Sequence, residues 1–452
     1  MRMAPPDLPG ARTGDSPLDR ALALLLAGER DAALRWAAAV VAQDASVPSA
    51  LILTCRLLAD AGRTEAAVEG LELGVKRAID TGNLPLAVAA VGDLRLLGVD
   101  VGTLLDEIAG AFCQDSPRLA DDATPPPPPL PHDENFQPLS SFLSGPALLS
   151  KATEIIHAAS TEYESSSESE PPLVSPLPLF SALAKDGLRA LINCFEMFTV
   201  PAGKSVIVEG EEGAEAYIVA RGELEVRRTS EEGDSITLAR LTNGALFGEM
   251  ALLSRAPRAA SVVACRPSIL LVARRDALEQ VAQKRPDIGI ELAAHCRRRM
   301  VANLVRTSKV LLAVDGKERP ALVERFETRV FEKGDKLIEE GKDTTGLHLI
   351  ASGEVAVVGH EEGGEPFVIA TLGVGETVGE VALVLRRKAN ADVVAVHPSV
   401  TLHLPREEFV DLVRDHPAIL AGLYLCAVER DEETSSVLAE STTSVGDDYI
   451  LV

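Results

Sequence analysis

Two hydrophobic rhythms divide the chain. From Pro17 to Cys113 the residues are rich in Ala and Leu, and the segment reads as helix throughout. From Gly203 to Pro286 the pattern changes to short β-rich runs. These are Val206-Ile207-Val208, Tyr217-Ile218-Val219, Leu224-Glu225-Val226, Thr237-Leu238-Ala239 and Ile269-Leu270-Leu271-Val272. Gly210, Gly213, Gly222, Gly233 and Gly244 lie between them. Short strands at close spacing with glycine turns predict a sandwich or jelly roll. Asp287 to Lys309 then predicts a helix, with Ile288, Leu292, Met300, Leu304 and Val305 at helical spacing around Arg297-Arg298-Arg299.

Both rhythms repeat. In the helical third, Ala27-Gly28-Glu29-Arg30 with Ala32-Ala33 matches Ala61-Gly62-Arg63-Thr64 with Ala66-Ala67, an offset of 34 residues. Gly82 and Gly98 break further helices, so three helix pairs fit. This period resembles that of tetratricopeptide repeats, although most aromatic and Pro positions of that motif are missing. The sandwich recurs 131 residues on without a gap. Gly203 matches Gly334, Gly210 matches Gly341, Gly222-Glu223 matches Gly353-Glu354, and Pro286 matches Pro417. A constant offset across loops and strands means duplication of a folded module. The predicted fold class is multidomain α and β: an N-terminal α-helical hairpin repeat, then two β-jelly-roll modules each flanked by helices. Expected bounds are a disordered 1–16, a helical domain 17–116, and a Pro/Ser/Glu-rich linker 117–175. The first module spans 176–308, the second 309–430, and an acidic tail 431–452. In the linker, Pro125 to Pro129 reads as a stiff spacer, Pro146 to Ser160 as one short helix, and Thr161 to Pro172 as disordered.

The candidate chemistry lies in Phe247-Gly248-Glu249-Met250-Ala251-Leu252-Leu253 followed by Pro257-Arg258-Ala259-Ala260-Ser261-Val262. Gly248 lets backbone approach a ligand closely, and the apolar run from Met250 gives a helical turn whose N–H groups suit an anion. Arg258 supplies a fork for two phosphate oxygens, and such a charge-assisted bond contributes about 1.5–3 kcal/mol. Glu249 would repel phosphate, so a sugar hydroxyl is its natural partner. Ala259 and Ala260 leave room for a ring. The ligand read off is a compact anion fused to a sugar with a free hydroxyl.

This stretch resembles the phosphate-binding cassette of cyclic nucleotide-binding domains, F-G-E-x-A-L-x, a variable loop, then P-R-A-A-T/S-V. The resemblance implies that Glu249 takes the ribose 2′-hydroxyl and Arg258 the exocyclic phosphate oxygens. The N–H groups of Ala251 and Ala259 would complete the cradle. In this family Ala after the arginine favours cAMP and Thr favours cGMP, so Ala259 implies cAMP over cGMP. The ligand-binding set is therefore Gly248, Glu249, Met250, Ala251, Arg258, Ala259, Ala260 and Ser261. The family implies that the following helix closes the pocket, often with an aromatic residue over the purine. Asp287 to Glu324 holds none, leaving Met300, an arginine of 297–299, or nothing.

The second copy keeps Gly379, Glu380 and Ala382, but Ala389 stands where Arg258 does, Asp392 where Ser261 does, and Val378 where Phe247 does. Truncating one partner of a buried charge pair costs about 2–5 kcal/mol. Asp392 would add repulsion, and Arg387 or Lys388 would have to reach in to restore the charge. The second site is expected to be degenerate and not to bind.

Composition narrows the class. With 44 Lys+Arg against 68 Asp+Glu the net charge is −24, the opposite of a nucleic-acid footprint. No apolar run is long enough to cross a membrane, and Met1 to Gly10 lacks a signal-peptide core. Cys55, Cys113, Cys194, Cys265, Cys296 and Cys426 form no C-x-x-C pair, so neither a disulfide frame nor a metal site is expected. The Ala-, Leu- and Arg-rich usage suggests a bacterial chain, and the unpaired cysteines with no signal-peptide core point to a reducing, cytoplasmic compartment. Cyclic-nucleotide transcription factors place a DNA-binding domain after the sandwich, and the segment after the second module is too short for one. The tandem arrangement resembles kinase regulatory subunits more closely. Their inhibitory Arg-Arg-x-Ala/Ser segment is missing between Leu119 and Leu179, where Lys151 is the only Lys or Arg. The expectation is a non-enzymatic cAMP sensor without cofactor, acting on a protein partner through its helical N-terminus. The alternative is an interaction scaffold whose sandwiches bind no nucleotide.

Overall fold

The computed structural model describes residues 16–121, 136–166, 171–229, 235–253, 257–308, 311, 322, 324–360 and 366–444. The helical third forms α1 (Pro17–Leu26), α2 (Arg30–Gln43), α3 (Pro48–Asp60), α4 (Thr64–Asp80), α5 (Leu84–Leu96) and α6 (Gly102–Phe112). Ser16 caps α1: its hydroxyl accepts from the Asp19 N–H at 3.2 Å, and the Asp19 carboxylate accepts from the Ser16 N–H at 3.2 Å. The two matched turns fall at Gly28 (φ 83°) and Gly62 (φ 77°), in the left-handed region that glycine tolerates. Leu22, Leu51, Leu58, Leu71 and Leu94 line the buried face.

The linker differs from expectation. The short helix is α7 (Gly145–Ser166), and it packs on α2 and α4 as part of the helical domain. Residues 161–166, expected to be disordered, continue this helix because Tyr163 finds partners on α4. The Arg77 guanidinium sits 4.6 Å over its ring, and its hydroxyl donates to Asp80 at 3.1 Å. Leu148 and Ile156 are fully buried by the same packing. The five-proline run and residues 1–15 lie outside the described residues.

The first sandwich comprises α8 (Lys185–Ile192), β1 (Phe195–Val200), β2 (Ser205–Ile207), β3 (Glu215–Arg221), β4 (Leu224–Thr229), β5 (Ser235–Leu241) and β6 (Leu246–Phe247). It continues through α9 (Met250–Leu253), β7 (Ser261–Ala264), β8 (Ser268–Arg274) and α10 (Arg275–Lys284), and α11 (Pro286–Thr307) follows. Its two antiparallel sheets have the orders β1-β8-β3-β6 and β2-β7-β4-β5. The second comprises β9 (Glu327–Phe331), β10 (Lys336–Ile338), β11 (Gly346–Ser352), β12 (Val355–Gly359), β13 (Phe367–Leu372) and β14 (Thr377–Val378). Then come α12 (Glu380–Val384), β15 (Asp392–Ala395), β16 (Ser399–Pro405), α13 (Arg406–Asp415) and α14 (Pro417–Ser444). Its sheets, β9-β16-β11-β14 and β10-β15-β12-β13, repeat the first pair strand for strand. Even the register is kept: Val200 pairs with Ser268, and Phe331 with Ser399. The boundary expected at 430 falls inside α14, so the expected acidic tail is helical as far as Ser444.

The chain divides into two compact units. One holds the described residues within 1–209, 215–249 and 260–292, and the other those within 210–214, 250–259 and 293–452. In the first unit the helical domain is bonded to the sandwich. Asp19, only 1% exposed, pairs with Arg221 at 2.7 Å and Arg266 at 3.3 Å. Burial pushes its carboxyl up, but the two guanidinium groups outweigh this and hold it below the usual range. The Asn83 amide donates to the Ala220 carbonyl at 3.1 Å.

Candidate functional site

In the first module β6 carries Phe247 into the core, where its ring stacks on Tyr217 at 5.2 Å. Gly248 then turns the chain at φ 74°, and Glu249 is 4% exposed. Met250 begins α9 and packs against the hydrophobic cluster containing Leu304, Leu349 and Leu402. Ala251 is buried, Ala259 is exposed and Ala260 is half-buried. The Ser261 hydroxyl accepts from the Glu209 N–H at 2.9 Å, tying the end of β2 to β7.

Arg258 is held by a two-bond backbone clamp. Its N–H donates to the Glu211 carbonyl at 2.9 Å, and its carbonyl accepts from the Gly210 N–H at 2.9 Å. Its guanidinium lies against Gly213 so closely that a Cβ there would collide with it. Sequence reasoning took Gly213 for a turn residue and missed this slot. The signal was present at the repeat offset, where Thr344 replaces Gly213 and Ala389 replaces Arg258 together. Met300, a candidate purine cap, is buried in the same cluster as Leu304. Arg297, another candidate, donates to the Thr328 hydroxyl and the Phe326 carbonyl, both at 2.6 Å.

The second module keeps the clamp and loses its cargo. Gly341 donates to the Ala389 carbonyl at 2.8 Å, and Ala389 donates to the Lys342 carbonyl at 3.0 Å. Thr344 stands at the position of Gly213, its buried hydroxyl donating to the Gly346 carbonyl at 2.9 Å. Asp392 does the work of Ser261: it accepts from the Glu340 N–H at 2.8 Å and from Lys336 at 2.5 Å. Burial raises its carboxyl, but these bonds prevail and hold it below the usual range. Its charge is thus turned to Lys336 and the Glu340 N–H. Arg387, a candidate to restore the lost cation, pairs instead with Asp431 on α14.

A cavity of about 220 Å³ sits in this second module, walled by Ile338, Val357, Leu372, Val378 and Ala389. Gly379 (φ 92°) makes the turn into it, where a Cβ would meet the Gly346 carbonyl at 2.7 Å. Ala382 is buried beside it. Glu380, 1% exposed, accepts from Arg430 of α14 through Oε1 at 2.7 Å. Arg430 also donates to Glu376 at 3.2 Å and to the Thr377 carbonyl. Glu380 Oε2 is buried without a hydrogen-bond partner among the described residues. Burial pushes the Glu380 carboxyl up, against the pull of Arg430. No cluster of three His, Cys, Asp or Glu side chains suited to a metal occurs among the described residues. Nor is any described helix long and apolar enough to cross a membrane.

Residues 197–285 and 328–416 each match the family model of the cyclic nucleotide-binding domain. The chain is 31% identical over 205 residues to a cAMP-dependent protein kinase regulatory subunit of Yarrowia lipolytica, covering 45% of this chain and 50% of that protein. It is 30% identical over 235 residues to the cGMP-dependent protein kinase egl-4 of Caenorhabditis elegans, covering 52% of this chain and 28% of that protein. The chain thus spans half or less of these two relatives. Among solved structures, it is 25% identical to the regulatory domain of Toxoplasma gondii PKA with cAMP, covering 56% of this chain and 92% of that one, with a TM-score of 0.28. The Thermus thermophilus catabolite activator protein is 30% identical over 33% of this chain and 65% of that one, with a TM-score of 0.27. The family matches are themselves 131 residues apart, as the sequence repeat requires. The chain therefore holds a helical domain followed by two tandem β-sandwich modules that each match the cyclic nucleotide-binding domain model, and it is similar to regulatory subunits of cyclic-nucleotide-dependent kinases.

Proposed function

We propose that this protein is a non-enzymatic cAMP sensor whose first module is the working receptor. Glu249 takes the ribose 2′-hydroxyl, Arg258 the exocyclic phosphate oxygens, and the N–H groups of Ala251 and Ala259 complete the cradle. The observation that carries this reading is the paired loss in the twin: Gly213 and Arg258 become Thr344 and Ala389 while the backbone clamp is unchanged. A slot kept for a guanidinium in one module and dropped in the other fits one phosphate reader and one retired one. Ala259 favours cAMP over cGMP.

The output runs through α11, which begins in the first unit and continues into the second. Ligand closure biases this helix and so the presentation of the helical domain to a protein partner. That domain is read as a tetratricopeptide-like platform in a cytoplasmic protein. Calorimetric titration of the full chain with cAMP and cGMP tests the receptor. Wild type is expected to bind cAMP more tightly. Arg387→Ala is expected to leave binding intact, since that side chain is engaged with Asp431. Absence of binding to either nucleotide at high micromolar concentration would leave only the scaffold.

A further inference from the structure

Helix α14 is held in two different ways along its length. Its first part is fixed by apolar packing: Ile419 and Leu423 are fully buried in the cluster that holds Leu402, Leu404 and Phe409, and Ala427 is buried as well. From Arg430 onward, polar side chains hold it. Arg430 donates to the buried Glu380 at 2.7 Å, to Glu376 at 3.2 Å and to the Thr377 carbonyl. Asp431 pairs with Arg387 and accepts from the Asn390 amide at 3.0 Å. Arg430 and Thr434 also line the cavity of the second module, so this stretch of helix is one of its walls. Just beyond it, Ser435 and Ser436 are exposed.

The repeat shows which of these groups are particular to the second module. Glu380 and Arg430 have counterparts in Glu249 and Arg299. Glu376, Arg387, Asn390 and Asp431 do not, because Ala245, Ala256, Ala259 and Met300 stand at their positions in the first copy. Where the second copy has the Asp431 carboxylate, the first has the Met300 side chain, buried in one cluster with Leu304. Three polar side chains around the cassette have thus appeared together with the one helix residue that completes their pairing. Arg430 and Asp431 keep only 22% exposure each, so the contacts form a half-buried network and not a scatter of surface pairs. A helix end without tertiary contacts frays in water, and this network is what the end of α14 has. We propose that Glu376, Arg387 and Asn390 form a latch on Arg430 and Asp431 that keeps α14 shut over the second cavity with no ligand in it. The second module is then a permanently closed body: its own side chains supply the contacts that hold the wall in place, and α14 does not wait on a nucleotide to close.

Hydrogen–deuterium exchange of the full chain, dialysed until absorbance shows it free of nucleotide, tests the latch. In wild type the amides from Val428 to Thr434 are expected to exchange at least about tenfold more slowly than in an unstructured peptide. Arg387→Glu sets a carboxylate against Asp431 and should speed that exchange about fivefold or more, the equivalent of about 1 kcal/mol. Reversing the pair, Arg387→Glu with Asp431→Arg, should bring the slow rate back. The amides of β11 and β16 are the folding control and should stay as slow in both variants as in wild type. The proposal is overturned if the wild-type helix amides exchange like an unstructured peptide, if Arg387→Glu leaves them as slow as before, or if the reversed pair restores nothing. It is overturned as well if Arg387→Glu speeds β11 and β16 equally, since the pair then supports the whole sandwich and not the helix. Every reading comes from the second module without nucleotide, so failure of the latch leaves the first-module receptor untouched.

Discussion

At the scale of single residues, the molecule turns on a contact between Arg258 and a position with no side chain. The guanidinium rests where a Gly213 Cβ would be, so the proposed phosphate reader needs glycine at 213 to keep this side-chain position. Gly213→Thr should therefore displace the Arg258 guanidinium and weaken cAMP binding, by less than the roughly 2–5 kcal/mol that losing the charge costs, because the arginine is flexible and still present. Calorimetry of that variant beside Arg258→Ala, with circular dichroism to confirm folding, checks this; unchanged affinity would remove Gly213 from the site. The converse exchange also follows. Ala389→Arg alone should gain nothing, because Thr344 stands at the position of Gly213, whereas Ala389→Arg with Thr344→Gly should let the second module take up cAMP. The cassette was legible in the sequence because its residues, Gly248 to Ser261, are nearly contiguous. Gly213 was not, because a lone glycine between two strands reads equally well as a turn. The surroundings of Asp392 were hidden for a related reason: the sequence shows a carboxylate in a serine's place but not the Lys336 ammonium that meets it.

At the scale of elements, the second sandwich buries histidines between strands that its twin fills otherwise. His348 on β11 and His403 on β16 lie 4.4 Å apart, ring centre to ring centre, and His348 shares a hydrogen bond with Thr401. Burial pushes the His348 imidazole down to about 3, with His403 and Arg329 adding repulsion. His403 is lowered by burial as well. In the unfolded chain both titrate near about 6.5. As pH falls below that value the unfolded state takes up protons first, so stability present above about pH 6.5 declines progressively toward about pH 3. Thermal unfolding of His348→Leu between neutral and mildly acidic pH should show a shallower decline than wild type. An equally steep decline would put the acid sensitivity elsewhere. The strands themselves were readable from their β-rich runs and glycine punctuation. The reach of α7 was not, since Ser and Glu composition argues for disorder while the deciding contact, Tyr163 on Arg77 and Asp80, joins distant parts of the chain.

At the scale of the whole molecule, duplication explains the architecture: strand order, register and clamp recur at one offset, and what differs is the side chains set on that shared frame. Within the first unit, Asp19 joins the helical domain to the sandwich while also capping α1. Breaking a buried ion pair costs about 3–5 kcal/mol, so Asp19→Ala should lower the urea midpoint of that unit and raise exchange of the α1 and β3 amides. Loss of stability without faster exchange in β3 would mean that the cap matters and the interdomain pairs do not. This junction was invisible in the sequence, because Asp19 and Arg221 are 202 residues apart and the capping box that holds Asp19 says nothing of a distant arginine.

The central claim is that one module reads cyclic phosphate through Arg258, and titration of the full chain with cAMP before and after Arg258→Ala tests it most directly. Saturable binding by wild type is expected, with a loss of roughly 30-fold to several thousand-fold in the variant, the affinity equivalent of about 2–5 kcal/mol. Equal binding by the two proteins, or none by wild type, would contradict it.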